Sequence, residues 1–238
     1  MANDSFAFKK FTVKQDKCAM KVNTDAVLLG AWVIPNGSRH ILDVGTGTGV
    51  IALMIAQKTD ARILAIDIDK EATEQARLNV SESYFPNVEV QHITFQELAE
   101  KSQEKFNLIV SNPPYFTDSL KSKDQNRTIA RHNEQLPFEE LLSGVKKILD
   151  PKGKFCLILP TKEAIHFREL AETKGLHLSK LLRITTRREN ETEKRHIMQF
   201  EFKPSEFSES TLVIEEGDEP GKYTKEYKEL TRDYYLNF

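Results

Sequence analysis

The chain has no apolar run long enough to cross a bilayer. Its longest, Ala26 to Ile34, ends at Pro35, at about half the roughly 20 residues that a spanning helix needs. The opening residues, Met1-Ala2-Asn3-Asp4-Ser5, supply neither the basic nor the apolar part of an export signal. Cysteine is scarce. Cys18 and Cys156 stand alone, outside any paired spacing, which excludes a disulfide framework and a cysteine-based metal site. An excess of either charge is also missing: 34 Lys and Arg face 36 Asp and Glu, for a net charge of −2. That balance rules out a grossly basic nucleic-acid coat protein and leaves room for a local basic patch. No internal repeat and no low-complexity linker interrupts the chain. What is present is globular in character, with 238 residues, 39% hydrophobic and 29% charged, enough for one sizeable core that needs neither disulfide nor metal. The expectation is a single cytoplasmic domain without metal, membrane attachment or obligate protein partner.

From Arg39 onward, apolar runs of strand length alternate with segments of helical period. This is the pattern of an α/β fold with helices on both faces of a mostly parallel sheet. Seven strands are predicted: His40–Val44, Arg62–Asp67, Val88–His92, Phe106–Ser111, Gly153–Leu159, Leu176–Thr185 and His196–Phe202. The last two, joined by a charged loop, read as an antiparallel edge. Helices are predicted at Thr24–Ile34, Val50–Lys58, Lys70–Ser83, Phe95–Lys101, Phe138–Leu149 and Lys162–Lys174, the first capped by Thr24 or Asn23. Asp150-Pro151-Lys152-Gly153 reads as a helix stop and turn. Phe6–Lys14 reads as extended. On this reading residues 1–38 extend a core of residues 39–203, and residues 204–238 form a polar tail, ending in a helix or loop, packed on that core.

Asp43-Val44-Gly45-Thr46-Gly47-Thr48-Gly49 follows the first of these strands and opens a helix. Its glycines permit a tight turn and let backbone approach a ligand where a side chain would clash. Such a string alone also fits a nicotinamide oxidoreductase. That class, however, uses Gly-x-Gly-x-x-Gly to seat a pyrophosphate on the helix N-terminus, and the spacing here is different. Asp43, two residues before the first glycine, is placed to engage a cationic amino group. Asp67, 18 residues after Gly49 at the end of the second strand, can accept both hydroxyls of a ribose. The combination resembles the class I S-adenosylmethionine-dependent methyltransferases. The resemblance implies a Rossmann-like fold, S-adenosylmethionine as cofactor, and a pocket built from Asp43, Gly45, Thr46, Gly47, Gly49, Asp67 and Ile68. It also implies an acid after the third strand, against the adenine. His92-Ile93-Thr94-Phe95-Gln96-Glu97 has no aspartate there, which leaves Thr94 or Phe95 for that contact.

Asn112-Pro113-Pro114-Tyr115 follows the fourth strand. Two prolines fix φ and remove two donors, leaving carbonyl oxygens that no ladder claims. Asn112 adds an amide oxygen and an NH₂ beside them. An exocyclic amine can then donate one hydrogen to the Asn112 side chain and the other to the Pro113 carbonyl, directing its lone pair at a methyl donor. Tyr115 offers a ring to stack on a planar substrate. No strong general base is required, because a methyl on a sulfonium departs to a nucleophile that is only oriented and polarised. A base within a folded nucleic acid has to be flipped out to reach such a pocket. The motif resembles the amino-methyltransferase signature that acts on adenine N6, cytosine N4, guanine N2 and glutamine side-chain nitrogen. Catalysis is therefore expected at Asn112, Pro113, Pro114 and Tyr115, with Asn112 also bordering the cofactor.

The glutamine-modifying relatives carry a helical domain ahead of the loop, and the 42 residues before Asp43 argue against them. Those residues include Phe8-Lys9-Lys10-Phe11-Thr12-Val13-Lys14-Gln15 and Met20-Lys21-Val22-Asn23-Thr24-Asp25, followed by Leu28-Leu29-Gly30. They resemble the start of the bacterial tRNA-valine adenine-37 N6-methyltransferases, with its Met-Lys-Val, Thr-Asp and Leu-Leu-Gly pattern. Arg127, Ala130-Arg131-His132 and Glu134 resemble that family's Ala-Arg-His-Glu element with Asn133 inserted, and Gly221–Tyr227 and Asp233–Leu236 are similar to its tail. The resemblance implies tRNA as substrate. Other acceptors are DNA adenine, ribosomal guanine N2 or protein glutamine; a silent RNA-binding module is the reading from outside enzymes.

Candidate phosphate contacts are Lys9, Lys10 and Lys21 near the start and Arg127, Arg131 and His132 after the reaction motif. Further cations at Lys14, Lys17, Arg187, Arg188, Lys194 and Arg195 are interleaved with acids and read singly as solvated surface, while Lys121 and Lys123 belong with the cluster after Tyr115. The cluster after Tyr115 differs, as a basic loop beside a reaction site. His132 reads equally as a phosphate contact or a turn residue. Lys21, Thr24 and Asp25 are expected to cover the methyl-donor pocket, and the Thr24–Trp32 stripe to pack in the core.

Overall fold

Short runs rich in Ile, Leu and Val make strands that are buried on both faces, and these hold the centre of the molecule. Ile41, Leu42, Ile63, Ala65, Leu108, Ile109 and Val110 are essentially inaccessible. The computed structural model describes residues 4–18, 20–114, 136–187, 192–217 and 221–238. It opens with a small antiparallel hairpin, β1 (Ser5–Ala7) and β2 (Thr12–Lys14). Then follow α1 (Thr24–Trp32), β3 (His40–Val44), α2 (Val50–Ala56), β4 (Arg62–Asp67), α3 (Lys70–Glu82), β5 (Val88–His92), α4 (Phe95–Lys101) and β6 (Phe106–Ser111). The second half holds α5 (Phe138–Ile148), β7 (Leu149–Pro160), α6 (Thr161–Thr173), β8 (His177–Arg187), β9 (Arg195–Glu201), β10 (Ser208–Glu215) and α7 (Lys225–Thr231).

Strands β3 to β10 form one sheet in the order β10-β8-β9-β7-β6-β3-β4-β5. Neighbours are parallel except at β9, which runs antiparallel to both β7 and β8. The Rossmann-like reading therefore holds, with eight strands in place of the seven expected. The additional one is β10, in the segment read as a polar tail. Ser208 to Thr211 are exposed and Leu212 is its buried side chain. Its place comes from a parallel ladder with β8, Ser208 opposite Lys180 through Glu215 opposite Arg187, and from cross-strand ion pairs of Arg183 with Glu209 and Arg187 with Glu215.

Two further local differences have clear causes. Asp150–Gly153 does turn, with the Lys152 amide donating to Asp150 Oδ1 at 2.8 Å, but β7 absorbs the turn. Phe106 pairs with Leu149 and Leu108 with Lys154, so four residues of β7 bulge opposite Asn107 alone. At α1 the cap is Asn23, whose Oδ1 accepts the Ala26 amide at 2.9 Å. The Phe6–Lys14 segment is the β1–β2 hairpin.

Side chains alternate between two cores. Cys156 and Ile158 of β7 face one core, while Phe155, Leu157 and Leu159 face the other. The first is covered by the hairpin, α1, α2, α3 and Tyr227 of α7; the second by α4, α5 and α6. On the second face Gly144 lets α5 approach α4. A Cβ there would lie 2.4 Å from Phe95 Cε1.

Candidate active site at the carboxyl edge of the sheet

Register brings the sequence motifs to one edge. Val44 pairs with Ile66 on one side and Ser111 on the other, so the loop after β3, the end of β4 and Asn112 lie at neighbouring strand ends. This is where the chain's connections diverge from β3 in opposite directions, the crevice in which open α/β sheets bind ligands. The Ser111 hydroxyl donates to the Val44 carbonyl at 2.9 Å and fastens β6 to β3 immediately before Asn112.

The loop is held by the two predicted acids. Asp43 Oδ2 accepts from Thr46 Oγ1 at 2.6 Å, and Asp67 Oδ2 accepts from the Gly47 amide at 2.8 Å. Asp67 Oδ1 takes the Asp69 amide at 2.9 Å. The amides of Gly45 and Thr46 both donate to the Ile66 carbonyl at 2.9 Å. Gly45, Gly47 and Gly49 all have positive φ, the left-handed conformation that glycine adopts without penalty. Gly49 makes the bend into α2, at φ +84 and against Ala76 of α3.

Asp43 is fully buried, and its Oδ1 has no hydrogen-bond partner within bonding distance among the described residues. Burial pushes its carboxyl up to about 7, with the Asp67 charge adding to the rise and the Thr46 hydroxyl and Ala52 amide opposing it. Asp67 is also raised, again chiefly by burial. Two buried acids, one with an orphaned oxygen, make a site that a cationic ligand with hydroxyl donors would satisfy. The chemistry of this donor set fits S-adenosylmethionine.

A polar stripe on α3 ties the N-terminal segment over this site. Asn79 Oδ1 accepts the Lys14 amide at 2.9 Å, and its Nδ2 donates to the carbonyls of Lys14 and Thr48, each at 2.9 Å. Gln75 Oε1 accepts the Lys17 amide at 3.2 Å, and Gln15 Oε1 that of Val22 at 2.8 Å. Cys18 lies beside the acids. Burial, then the charges of Asp67, Asp69 and Asp16, push its thiol up to about 11. Sequence reasoning missed these amides. The available signal was the spacing Ala72, Gln75, Ala76, Asn79, a helical stripe that is buried although half of it is polar.

Other predicted residues divide. Asn112 is half-buried, and its side chain has no hydrogen-bond partner among the described residues; Pro113 is buried and Pro114 exposed. Ile68 is exposed beside Asp67. Thr94 and Phe95, expected against the adenine, also have structural roles. Thr94 closes a capping box with Glu97, and the Phe95 ring is buried in the second core. The Lys9 ammonium donates to the carbonyls of Arg232 at 2.5 Å and Phe238 at 2.6 Å. Lys10 is exposed, and Lys21 lies 3.7 Å from Asp4. Tyr115, Arg127, Arg131, His132 and Glu134 lie outside the described residues.

The family model described as "Methyltransferase small domain" matches residues 18–174. The chain belongs to this methyltransferase family. Among curated proteins the methyltransferase is 45% identical over 240 residues to a Bacteroides thetaiotaomicron protein named tRNA1(Val) (adenine(37)-N6)-methyltransferase, covering 100% of this chain and 99% of the relative. Proteins of the same name from Phocaeicola vulgatus and Trichodesmium erythraeum are 45% and 40% identical, with both chains covered in full. The fold is shared with an Agrobacterium tumefaciens protein described as a predicted O-methyltransferase. That match has a TM-score of 0.68 and 17% identity, covering 90% of this chain and 100% of the other. A ribosomal protein L11 methylase from Lactobacillus delbrueckii subsp. bulgaricus gives a TM-score of 0.59 at 16% identity, covering 81% and 84%. S-adenosylmethionine is the cofactor of the methyltransferase.

Proposed function

We propose that the protein methylates N6 of an adenine in tRNA, namely adenine 37 of a valine tRNA. The observation that carries this reading is the Asn112 carboxamide, without a partner among the described residues and one residue beyond the rung that joins Ser111 to Val44. The three full-length relatives, each named for that reaction, support the choice of acceptor.

Asp43 would hold the cofactor's amino group, Asp67 its ribose, and Ile68 the apolar face of its adenine. When bound, S-adenosylmethionine supplies an electrophilic methyl on a sulfonium. Asn112 accepts one N–H of the target amine through its side-chain oxygen, and the Pro113 carbonyl accepts the other. The amine nitrogen then presents its lone pair to the loop instead of delocalising it into the ring, and Tyr115 stacks on the base. Because the role is orientation, its loss falls on turnover more than on binding. We place this work in the cytoplasm; among the described residues no helix is long and apolar enough to cross a membrane.

The test compares unmodified valine tRNA, a DNA duplex and a glutamine peptide as acceptors of labelled methyl. Label on tRNA that digestion locates on adenine N6 is the expected result, and label on the peptide alone overturns the assignment. Asn112→Ala should lower kcat about 100-fold or more while cofactor affinity stays within about twofold.

A further inference from the structure

A cavity of about 840 Å³ opens at the same edge of the sheet but away from the glycine loop. Its walls come from the first turn of α1, the carboxyl ends of β8 and β10, the start of β9 and the residues around α7. It contains no residue of Gly45–Gly49 and neither Asp43 nor Asp67, and it adjoins the expected methyl-donor pocket through Thr24 and Asp25. Its volume lies within the range of sites that bury a small planar ligand.

The lining is aromatic and preset. Tyr223 stacks on Tyr227 with centroids 4.9 Å apart, and Phe238 stands edge-on to Tyr223, Tyr227 and Tyr235. The Tyr227 and Tyr235 hydroxyls meet at 3.3 Å. Tyr223, Tyr235 and Phe238 remain half-exposed. Thr186 and Asn237 contribute polar groups with no partner among the described residues.

The charged lining residues are Asp25, Glu215, Lys194 and Arg195. Arg195 is matched by Asp25 at 2.7 Å. Lys194 is exposed and pairs with no carboxylate among the described residues.

Position sets the reach. Ser111 pairs with Leu157 on β7, and Pro160 of β7 pairs with Arg195 on β9. At about 4.8 Å between strands, β9, β8 and β10 lie roughly 10, 14 and 19 Å across the sheet from the β6 strand that leads to Asn112. That span equals about three to six nucleotide steps of ~3.4 Å.

We propose that this cavity receives a second, unstacked nucleobase of the RNA, about three to six nucleotides from the methylated adenine and in the same loop. It stacks against the half-exposed rings, and Lys194 meets its phosphate. The cavity thereby acts as a specificity site, fixing which adenine of the loop reaches Asn112. This inference rests on RNA being the substrate.

The test uses stem-loop RNAs of the unmodified tRNA carrying 5-iodouridine at each loop position in turn. Irradiation should cross-link one position, about three to six nucleotides from the target, to Tyr223, Tyr235 or Phe238. Replacing that nucleotide by an abasic one should raise KM about tenfold, the lower end of what a base–aromatic stack contributes, with kcat within twofold. Thr186→Trp, which fills the cavity, should raise KM equally on intact RNA and add nothing on the abasic RNA. Cofactor affinity, read by calorimetry, should be unchanged in that variant. Methylation that proceeds at normal KM on every abasic RNA overturns the inference while the substrate reading stands. Label on no RNA at all overturns both.

Discussion

Replacing Asp43 by Asn tests the electrostatics of the site most directly. The buried carboxyl is raised from 3.8 to about 7, chiefly by burial, so between those values the folded protein binds a proton that the unfolded chain does not. Unfolding free energy therefore falls as pH rises from about 4 to 7 and stays low above that. At about 1.4 kcal/mol for each tenfold change, the loss has a ceiling of about 4 kcal/mol, and structural relaxation reduces it to roughly half. Asn keeps an oxygen for the Thr46 hydroxyl and has no charge to desolvate. In urea unfolding of the cofactor-free protein, Asp43→Asn should match wild type near pH 4 and exceed it by about 2 kcal/mol at pH 8. For a chain of this size that is a rise in Tm of about 4–8 °C. The same substitution should weaken S-adenosylmethionine binding by about tenfold or more at pH 8. In wild type, affinity should climb with pH up to about 7 and then level, because binding a cation draws the proton off. Equal stability differences at pH 4 and pH 8 would refute the reasoning.

Lys58 donates to the carbonyls of Gly30, Ala31 and Val33 at 2.7–2.8 Å, closing the end of α1. Lys58→Met should cost about 2–3 kcal/mol of stability, read as a lower urea midpoint at unchanged m. In the loop, Gly49→Ala should cost more than Gly47→Ala. Both positions have positive φ, worth about 1–2 kcal/mol to a side chain, but only at Gly49 would the added carbon also press on Ala76, 3.4 Å away. Urea midpoints of the two variants give the comparison directly, and equal values would remove Ala76 from the account.

What could be read in the sequence was whatever local chemistry decides. α4 spans the residues predicted, because Thr94 and Glu97 form a reciprocal cap visible as a pattern three residues long. The loop after β3 is fixed by glycines and Asp43 within a seven-residue window. What escaped depends on partners far along the chain. β10 has one buried side chain, and its place is set by a backbone ladder to β8 that no periodicity records. Lys9 looked like a free cation, yet its carbonyl partners lie 223 and 229 residues away. The cap formed by Thr94 is local and legible, whereas the seat of Phe95 against Gly144 depends on a helix more than 40 residues further on. Gln75 and Asn79 are ordinary helix-surface residues by type, and only the chain laid over them buries them.

The place of β10 at the sheet's end has a consequence for the nascent chain. A ribosome that has released residues 1–203 has already made the glycine loop, Asp67, Asn112 and β8. Until β10 arrives, the 11 residues of β8 present a bare row of amides and carbonyls with apolar side chains behind it, the surface on which strands of separate molecules add to one another. β10 closes that row with a strand whose own outer side is short, polar and dotted with glutamates. The last seventh of the chain thus covers the edge on which copies of the protein could otherwise join.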